Sequence, residues 1–240
     1  MKLSIEAKCR IPYWYPLLSN YTFPTSFLKL HEEEIKALAE GILKGTAVEN
    51  VISRLALPMT AIPGNCFVST DSTAPTDTKR FQSKRGAVYS PESAWRFLAL
   101  SEKVRRAASE GRVEFICIRP FRRMNRTREF RLFIYNGQLN AMSQYWLIRH
   151  FRRLEGPKQK FWKKAKSFIS DISWLLPEKN IVMDIYFTSS DSILIIDLNE
   201  WGCSTDPLLL QSWEHDWDRE AGIKLIPPPI KISGKVNVSF

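Results

Sequence analysis

The segment IVMDIYFTSSDSILIIDLNEW, residues 181–201, is the most informative part of this sequence for the fold. It contains two apolar runs separated by a short polar stretch, which is typical of two neighbouring strands joined by a turn. Asp197 and Asn199 are two residues apart in one strand, so both side chains leave the same face. Asp184 lies inside the other strand. The pairing predicts that three oxygen-bearing side chains converge in an otherwise apolar setting.

Two carboxylates in such a setting require positive charge nearby, because burying each one uncompensated costs several kcal/mol. Magnesium fits, since it takes a few carboxylate or amide oxygens and completes its shell with phosphate oxygens and water. Arg131 or another cationic side chain would neutralise the carboxylates equally well. The spacing therefore leaves a metal site and a structural salt bridge as open alternatives.

The preceding segment EFRLFIYNGQLNAMSQY, residues 129–145, predicts a β-hairpin around Asn136-Gly137. Glu129 and Arg131 alternate with apolar residues that are expected to face a core: Phe130, Leu132 and Ile134. The two charged side chains then face a cleft, where Arg131 could hold a phosphate through two parallel hydrogen bonds. A surface ion pair between strands is the alternative.

Strands and helices occur in groups along the rest of the chain. Helices are predicted over 31–43, from Thr46, over 91–110 and from Lys158, and strands over 65–69, 113–119, 129–135, 138–145, 181–187 and 192–201. Grouped strands with helices between the groups favour an α+β fold. The tail from residue 226 is expected to be irregular or an edge strand.

The chain has 240 residues and a formal charge of +10, concentrated in two clusters within 119–131 and 149–166. Such clusters attract phosphates, whether on a nucleotide, on nucleic acid or on an acidic protein partner. The four cysteines are widely spaced, and neither a secretory signal nor an apolar run of membrane-spanning length is apparent. These features predict a cytoplasmic protein without a membrane partner.

Five blocks, in order, carry a resemblance to a known family. They are WYP at 14–16, FVSTDSTAPTD at 67–77, EFRLFIYNGQLNAMSQY at 129–145, MDIYF at 183–187 and IIDLNEWGCSTDPLLLQSWE at 195–214. Together they resemble the cell-division-cycle-123 family, and the last block is the most specific. The resemblance implies an ATP-grasp fold of two α+β lobes, approximately 1–115 and 116–240, whose antiparallel sheets enclose a nucleotide cleft.

The resemblance also implies the ligands of that cleft. ATP and Mg²⁺ would be bound, with the metal on Asp184, Asp197 and Asn199. Arg131 would lie near the phosphates together with Glu129. The adenine would lie against the strand that contains Cys117, Ile118 and Arg119. Ser69 stands where family members carry a basic residue, and Lys84, Lys79 or Arg85 is expected to supply the missing charge.

Three functions are consistent with these features. Eukaryotic members of the family assemble translation initiation factor 2 and bind its gamma subunit, so the first is a nucleotide-dependent assembly factor, a chaperone-like role with a protein partner. The second is an ATP-dependent carboxylate–amine ligase, because most other ATP-grasp proteins form an acyl-phosphate. A nucleic-acid-binding module is the least favoured, since no nucleic-acid-binding motif accompanies the arginines.

Overall fold

The computed structural model describes residues 4–229. The helices are α1 (Ile5–Cys9), α2 (Ile11–Leu18), α3 (Glu32–Glu40), α4 (Thr46–Thr60), α5 (Lys79–Lys84), α6 (Pro91–Ala99), α7 (Glu102–Ser109) and α8 (Lys158–Ile172). The strands are β1 (Ser26–Lys29), β2 (Cys66–Thr70), β3 (Phe115–Pro120), β4 (Glu129–Tyr135), β5 (Gln138–Gln144), β6 (Ile181–Phe187), β7 (Ile193–Asn199) and β8 (Gly222–Lys224). Most of the tail predicted to be irregular lies outside the described residues. Within the described range, every helix is too short or too polar to cross a membrane.

The smaller sheet has three antiparallel strands in the order β1-β3-β2. Helices α3, α4, α6 and α7 cover it, and their apolar faces form a closed core with Val68 and Ile116 of the strands. The helical positions in this core recur every three or four residues, as in Val48, Val51 and Leu55 of α4. The amphipathic patterns in the first half of the chain thus build one layer of helices on one sheet.

The larger sheet has five strands in the order β7-β6-β4-β5-β8, and β8 alone runs parallel to its neighbour, β5. One face of this sheet packs on α8 through a core that includes the three predicted residues, Phe130, Leu132 and Ile134. The N-terminal helices join this core as well, because Trp14 of α2 is fully buried in it. Two sheets with segregated helices confirm the α+β expectation.

The hairpin between β4 and β5 turns at Asn136 and Gly137, as predicted. Both residues have positive φ angles, 50° and 74°. That is the backbone of a two-residue type I′ turn, whose twist matches that of the flanking strands. The turn places Tyr135 opposite Gln138, and a register shift between Phe133 and Ile134 then places Arg131 opposite Ser143.

The prediction of a single helix over 91–110 is wrong, because the chain forms two helices there. The first ends at Ala99, and Ser101 begins the second by accepting a hydrogen bond from the amide of Val104 at 3.2 Å. The buried Ser101 hydroxyl also donates to a carboxylate oxygen of Asp77 at 2.5 Å. The break therefore depends on a loop more than 20 residues earlier in the chain, which a helical periodicity cannot reveal.

Candidate functional site

A row of polar side chains crosses the larger sheet on the face opposite α8. Ser143, Arg131, Asp184 and Asp197 are successive cross-strand partners on β5, β4, β6 and β7. Residues directly opposite each other on one face of an antiparallel sheet have neighbouring side chains. The order of the strands therefore brings the predicted arginine and both predicted carboxylates together, although β4 and β6 are far apart in sequence.

Asp184 forms a two-pronged ion pair with Arg131. Both nitrogen–oxygen distances, Nε to Oδ1 and Nη2 to Oδ2, are 2.8 Å. The side-chain amide of Asn199 donates to Oδ2 of the same carboxylate at 3.1 Å. Arg131 also donates to the Asp206 carbonyl at 2.8 Å, and its guanidinium lies over the ring of Tyr145. The salt-bridge alternative is thus realised at Asp184, and its geometry holds the carboxylate in place.

Asp197 is the less compensated carboxylate. Its Oδ1 accepts a hydrogen bond from the amide of Leu198 at 3.0 Å. Burial, followed by the nearby charge of Asp184, raises its pKa to about 7. The register of β6 and β7 shifts at this point, because Asp184 pairs with Asp197 and Ile185 pairs with Ile195. Ile196 is the extra residue of a β-bulge, a feature that often occurs beside functional sites.

Arg119 connects the smaller sheet to this bulge. Its Nη1 donates to the Ile196 carbonyl at 3.1 Å, and its Nε donates to the hydroxyl of Thr25 at 3.0 Å. The residue is only 7% exposed, and its Nη2 is buried without a hydrogen-bond partner among the described residues. A buried guanidinium nitrogen left unpaired is costly. An anion in the cleft would satisfy it.

The two sheets enclose a cleft of about 540 Å³, within the usual range for small-molecule sites. Its lining has acidic groups on the side of the larger sheet and cationic groups around them. The acidic residues are Glu129, Asp184 and Asp197, and the cationic residues are Arg85, Lys103, Arg119, Arg122 and Arg126. Aromatic side chains, including Phe81 and Trp146, complete the wall. This composition suits a ligand with an aromatic base, phosphates and a bound cation.

The predicted site residues occupy different positions relative to the cleft. Four of them line the cleft: Arg119, Glu129, Asp184 and Asp197. Two others, Arg131 and Asn199, lie beside the cleft and contact Asp184. Cys117 and Ile118 are fully buried in the two cores, so the part of this segment that lines the cleft is 119–122. Lys84 is exposed at the end of α5. The roles assigned to all of these residues stay predictions.

Arg85 lines the cleft next to the position predicted for Lys84. It adopts a left-handed backbone conformation with φ 55°, and its Nη1 lies 3.4 Å from the Met124 carbonyl. Lys103 and Phe81 were not identified from the sequence. Their segments gave only a polar-loop or helical pattern, and nothing local indicates that α5 and α7 meet the loop after β5 at one wall.

Glu129 is buried beside this wall, with 5% exposure. Burial raises the pKa of its carboxyl to about 7, and the charge of Asp184 acts in the same direction. Arg126 and Arg85 oppose the shift. Glu129 is therefore poised to change charge when a ligand brings or removes cations in the cleft.

The donor set fits a magnesium ion bound together with phosphates. Among residues 4–229, no three carboxylate, thiolate or imidazole side chains are grouped as ligands. The site instead offers two carboxylates and one amide on β6 and β7. Magnesium is commonly held by only one or two carboxylates, with phosphate and water oxygens completing its shell. Asp184 and Asp197 are cross-strand partners, so two carboxylates lie side by side, and this arrangement favours a cation between them.

Comparison with known proteins assigns the family. The family model described as D123 matches residues 97–221, which include β3 to β7 and every candidate metal ligand. This chain belongs to the D123 family. The fold agrees, since the structure of Cdc123 from Schizosaccharomyces pombe superimposes with a TM-score of 0.80, at 19% identity, over 92% of this chain and 96% of that one.

Two relatives extend the comparison beyond the family model. A CDC123-like protein of Acanthamoeba polyphaga mimivirus is 28% identical over 232 residues, covering 86% of this chain and 68% of that protein. The translation initiation factor eIF2 assembly protein of Kluyveromyces lactis is 32% identical over 120 residues, covering 46% of this chain and 32% of that protein. The matched region thus spans about a third of the length of the yeast relative.

Proposed function

We propose that this D123 family member binds ATP with Mg²⁺ in the cleft between its two sheets and acts as a nucleotide-dependent assembly factor for a translation initiation factor. The proposal of nucleotide binding rests on two groups of opposite charge that face the cleft from the two sheets. Asp197, with its raised pKa, lies on the larger sheet, and Arg119, with its unpaired Nη2, reaches toward the same bulge from the smaller sheet. A magnesium–phosphate group satisfies both.

The chain's own residues would have distinct tasks in that complex. Asp184, Asp197 and Asn199 would hold the metal, which when bound neutralises phosphate charge and orients the phosphates. Arg131 holds Asp184 in position through its two hydrogen bonds. Two cations, Arg85 at the end of α5 and Lys103 on α7, would face the triphosphate and supply the charge that Ser69 lacks.

The assembly role is supported by the relatives. Proteins from Xenopus laevis and Kluyveromyces lactis that match this chain at 32% identity are named translation initiation factor eIF2 assembly proteins. The matches cover 25% and 32% of those proteins. The family model itself covers the segment that contains the candidate metal ligands. We infer that the partner is a protein of the eIF2 type, with the gamma subunit as the contact.

Affinity capture tests the assembly role. The immobilised chain is incubated with purified eIF2 gamma subunit, with and without Mg²⁺ and ATP, and the retained protein is quantified. We expect nucleotide-dependent retention by the wild type and reduced retention by Asp197→Asn. Equal retention of an unrelated GTPase would contradict a specific partner. Release of ADP and phosphate on addition of an acid and an amine would instead support the ligase alternative.

A further inference from the structure

Two surface segments beside the cleft are strongly basic. Residues 121–128 and 145–154 contain seven arginines and no aspartate or glutamate. Of these seven, only Arg128 is ion-paired within the described part of the chain, with Asp191. The segments touch each other, since Arg153 Nη2 lies 3.4 Å from the side-chain oxygen of Asn125. They therefore form one continuous surface.

We call this surface the arginine-rich surface, and its members are Arg122, Arg123, Arg126, Arg149, Arg152 and Arg153. Within the same loop, Leu147 and Ile148 project into solvent, with 44% and 55% of their area exposed. Adjacent exposed aliphatic residues surrounded by unpaired charge are a common feature of protein-binding sites. The surface thus combines two exposed aliphatic side chains with several cations.

We propose that the arginine-rich surface binds an acidic protein segment that carries aliphatic side chains. Six like charges close together repel one another, and an acidic partner removes that repulsion and speeds association. Arginine is suited to the task because its planar guanidinium binds carboxylates through two hydrogen bonds. The aliphatic side chains of the partner would cover Leu147 and Ile148. Arg122 and Arg126 also line the cleft, but the other four arginines do not, so the proposal can be tested separately from nucleotide binding.

The same observations favour a protein over a single-stranded nucleic acid. Nucleic-acid surfaces of this kind combine basic grooves with aromatic rings on which bases stack. The nearest indole, that of Trp146, is already engaged. The guanidinium of Arg126 lies 4.5 Å from its ring centre, and Phe81 of the other lobe stacks at 6.4 Å and 17°. The residues left exposed, Leu147 and Ile148, have no π face to offer.

Fluorescence anisotropy tests this proposal with defined probes. The first is a short labelled peptide of Glu-Asp pairs alternating with leucines, the second has Gln-Asn pairs in their place, and the third is a short single-stranded RNA. We expect the acidic peptide to bind most tightly. The variant Arg123→Ser with Arg152→Ser should weaken it about tenfold, and Leu147→Ser with Ile148→Ser should also weaken it severalfold.

A charge-matched variant separates local binding from general electrostatics. Lys36→Ser with Arg96→Ser removes two exposed cations from α3 and α6 and should leave the affinity within about twofold. All variants change exposed residues, and measuring their melting temperatures checks that they fold. Equal weakening by this control would overturn the proposal. Tighter binding of the RNA than of the acidic peptide would also overturn it, and would identify the surface as a nucleic-acid site.

Discussion

Arg131 and Asp184 lie opposite each other on β4 and β6, and two hydrogen bonds of 2.8 Å join the guanidinium to the carboxylate. Both side chains are more than 90% buried. Breaking such a pair leaves an uncompensated charge in the interior. The pair therefore makes the stability of the larger sheet depend on groups that also belong to the candidate nucleotide site.

We expect Arg131→Met to lower the free energy of unfolding by about 3–5 kcal/mol, because Asp184 would remain buried without its partner. The double variant Arg131→Met with Asp184→Leu should be much more stable than the single variant, since no charge is left behind. Urea denaturation measures both. A single variant as stable as the wild type would show that water reaches Asp184 and that the pair has no structural role.

The pKa of Glu129 predicts a specific pH dependence. Burial raises this pKa from its ordinary 4.5 to about 7. The carboxyl group of Glu129 therefore stays protonated in the folded chain over a pH range in which it is ionised in the unfolded chain. Stability from this group is therefore fully present below about pH 4.5 and is lost as pH rises through about 7. Glu129→Gln should match the wild type at low pH and exceed its unfolding free energy by up to about 3 kcal/mol at pH 8.

Thermal or urea unfolding between pH 4.5 and 8 measures this difference. Glu40→Gln, an exposed change of the same chemistry on α3, is the matched control. A Glu129→Gln variant whose unfolding free energy stays parallel to that of the wild type over the whole range would show that Glu129 is ionised without penalty.

The hairpin turn gives a test that is independent of the site. A methyl group added at Gly137 would meet only Ser173, at 3.9 Å, so space is available. The cost of Gly137→Ala therefore comes from the backbone, whose φ of 74° disfavours any side chain. We expect a loss of about 1 kcal/mol in unfolding free energy. Gly156→Ala, in open space without a positive φ, should cause no loss.

The break between α6 and α7 predicts the effect of removing its cap. Ser101→Ala deletes the hydroxyl that accepts from the Val104 amide and donates to Asp77. Loss of a serine cap usually costs about 1 kcal/mol, and here the carboxylate of Asp77 also loses a hydrogen-bond donor. Ser109→Ala, at the exposed end of α7, is the matched control. Equal melting temperatures for the two variants would contradict the capping role.

Local sequence patterns were sufficient where neighbours along the chain determine the structure. The hairpin at Asn136-Gly137, the helix from Lys158 and the two strands of 181–201 all follow from turn chemistry and apolar periodicity. The pairing of β6 with β7 was also predictable, because the two strands are consecutive and joined by a short turn. The alignment of Asp184 with Asp197 was not, because it depends on the bulge at Ile196, which shifts the register between the turn and these residues.

Contacts between distant segments could not be predicted in the same way. The pairing of β4 with β6 places Arg131 opposite Asp184. The sequence spacing alone left this salt bridge and a metal site as open alternatives. Arg119 reaches across from the smaller sheet to the carbonyl of Ile196, the extra residue of the bulge on β7. Cys117 and Ile118 point into the cores instead of the cleft, since β3 lies between two layers and is buried on both faces.

The central claim is that Asp197 belongs to a magnesium–nucleotide site, and calorimetric titration of ATP with Mg²⁺ tests it most directly. We expect the wild type to bind, Asp197→Asn to bind at least about tenfold more weakly, and the exposed Asp171→Asn to bind like the wild type. Because Asp197 is ionised at a cost beside Asp184, Asp197→Asn should also unfold at a higher temperature without nucleotide. Weaker binding by a more stable variant would establish the site. No binding to the wild type, or equal binding to Asp197→Asn, would contradict it.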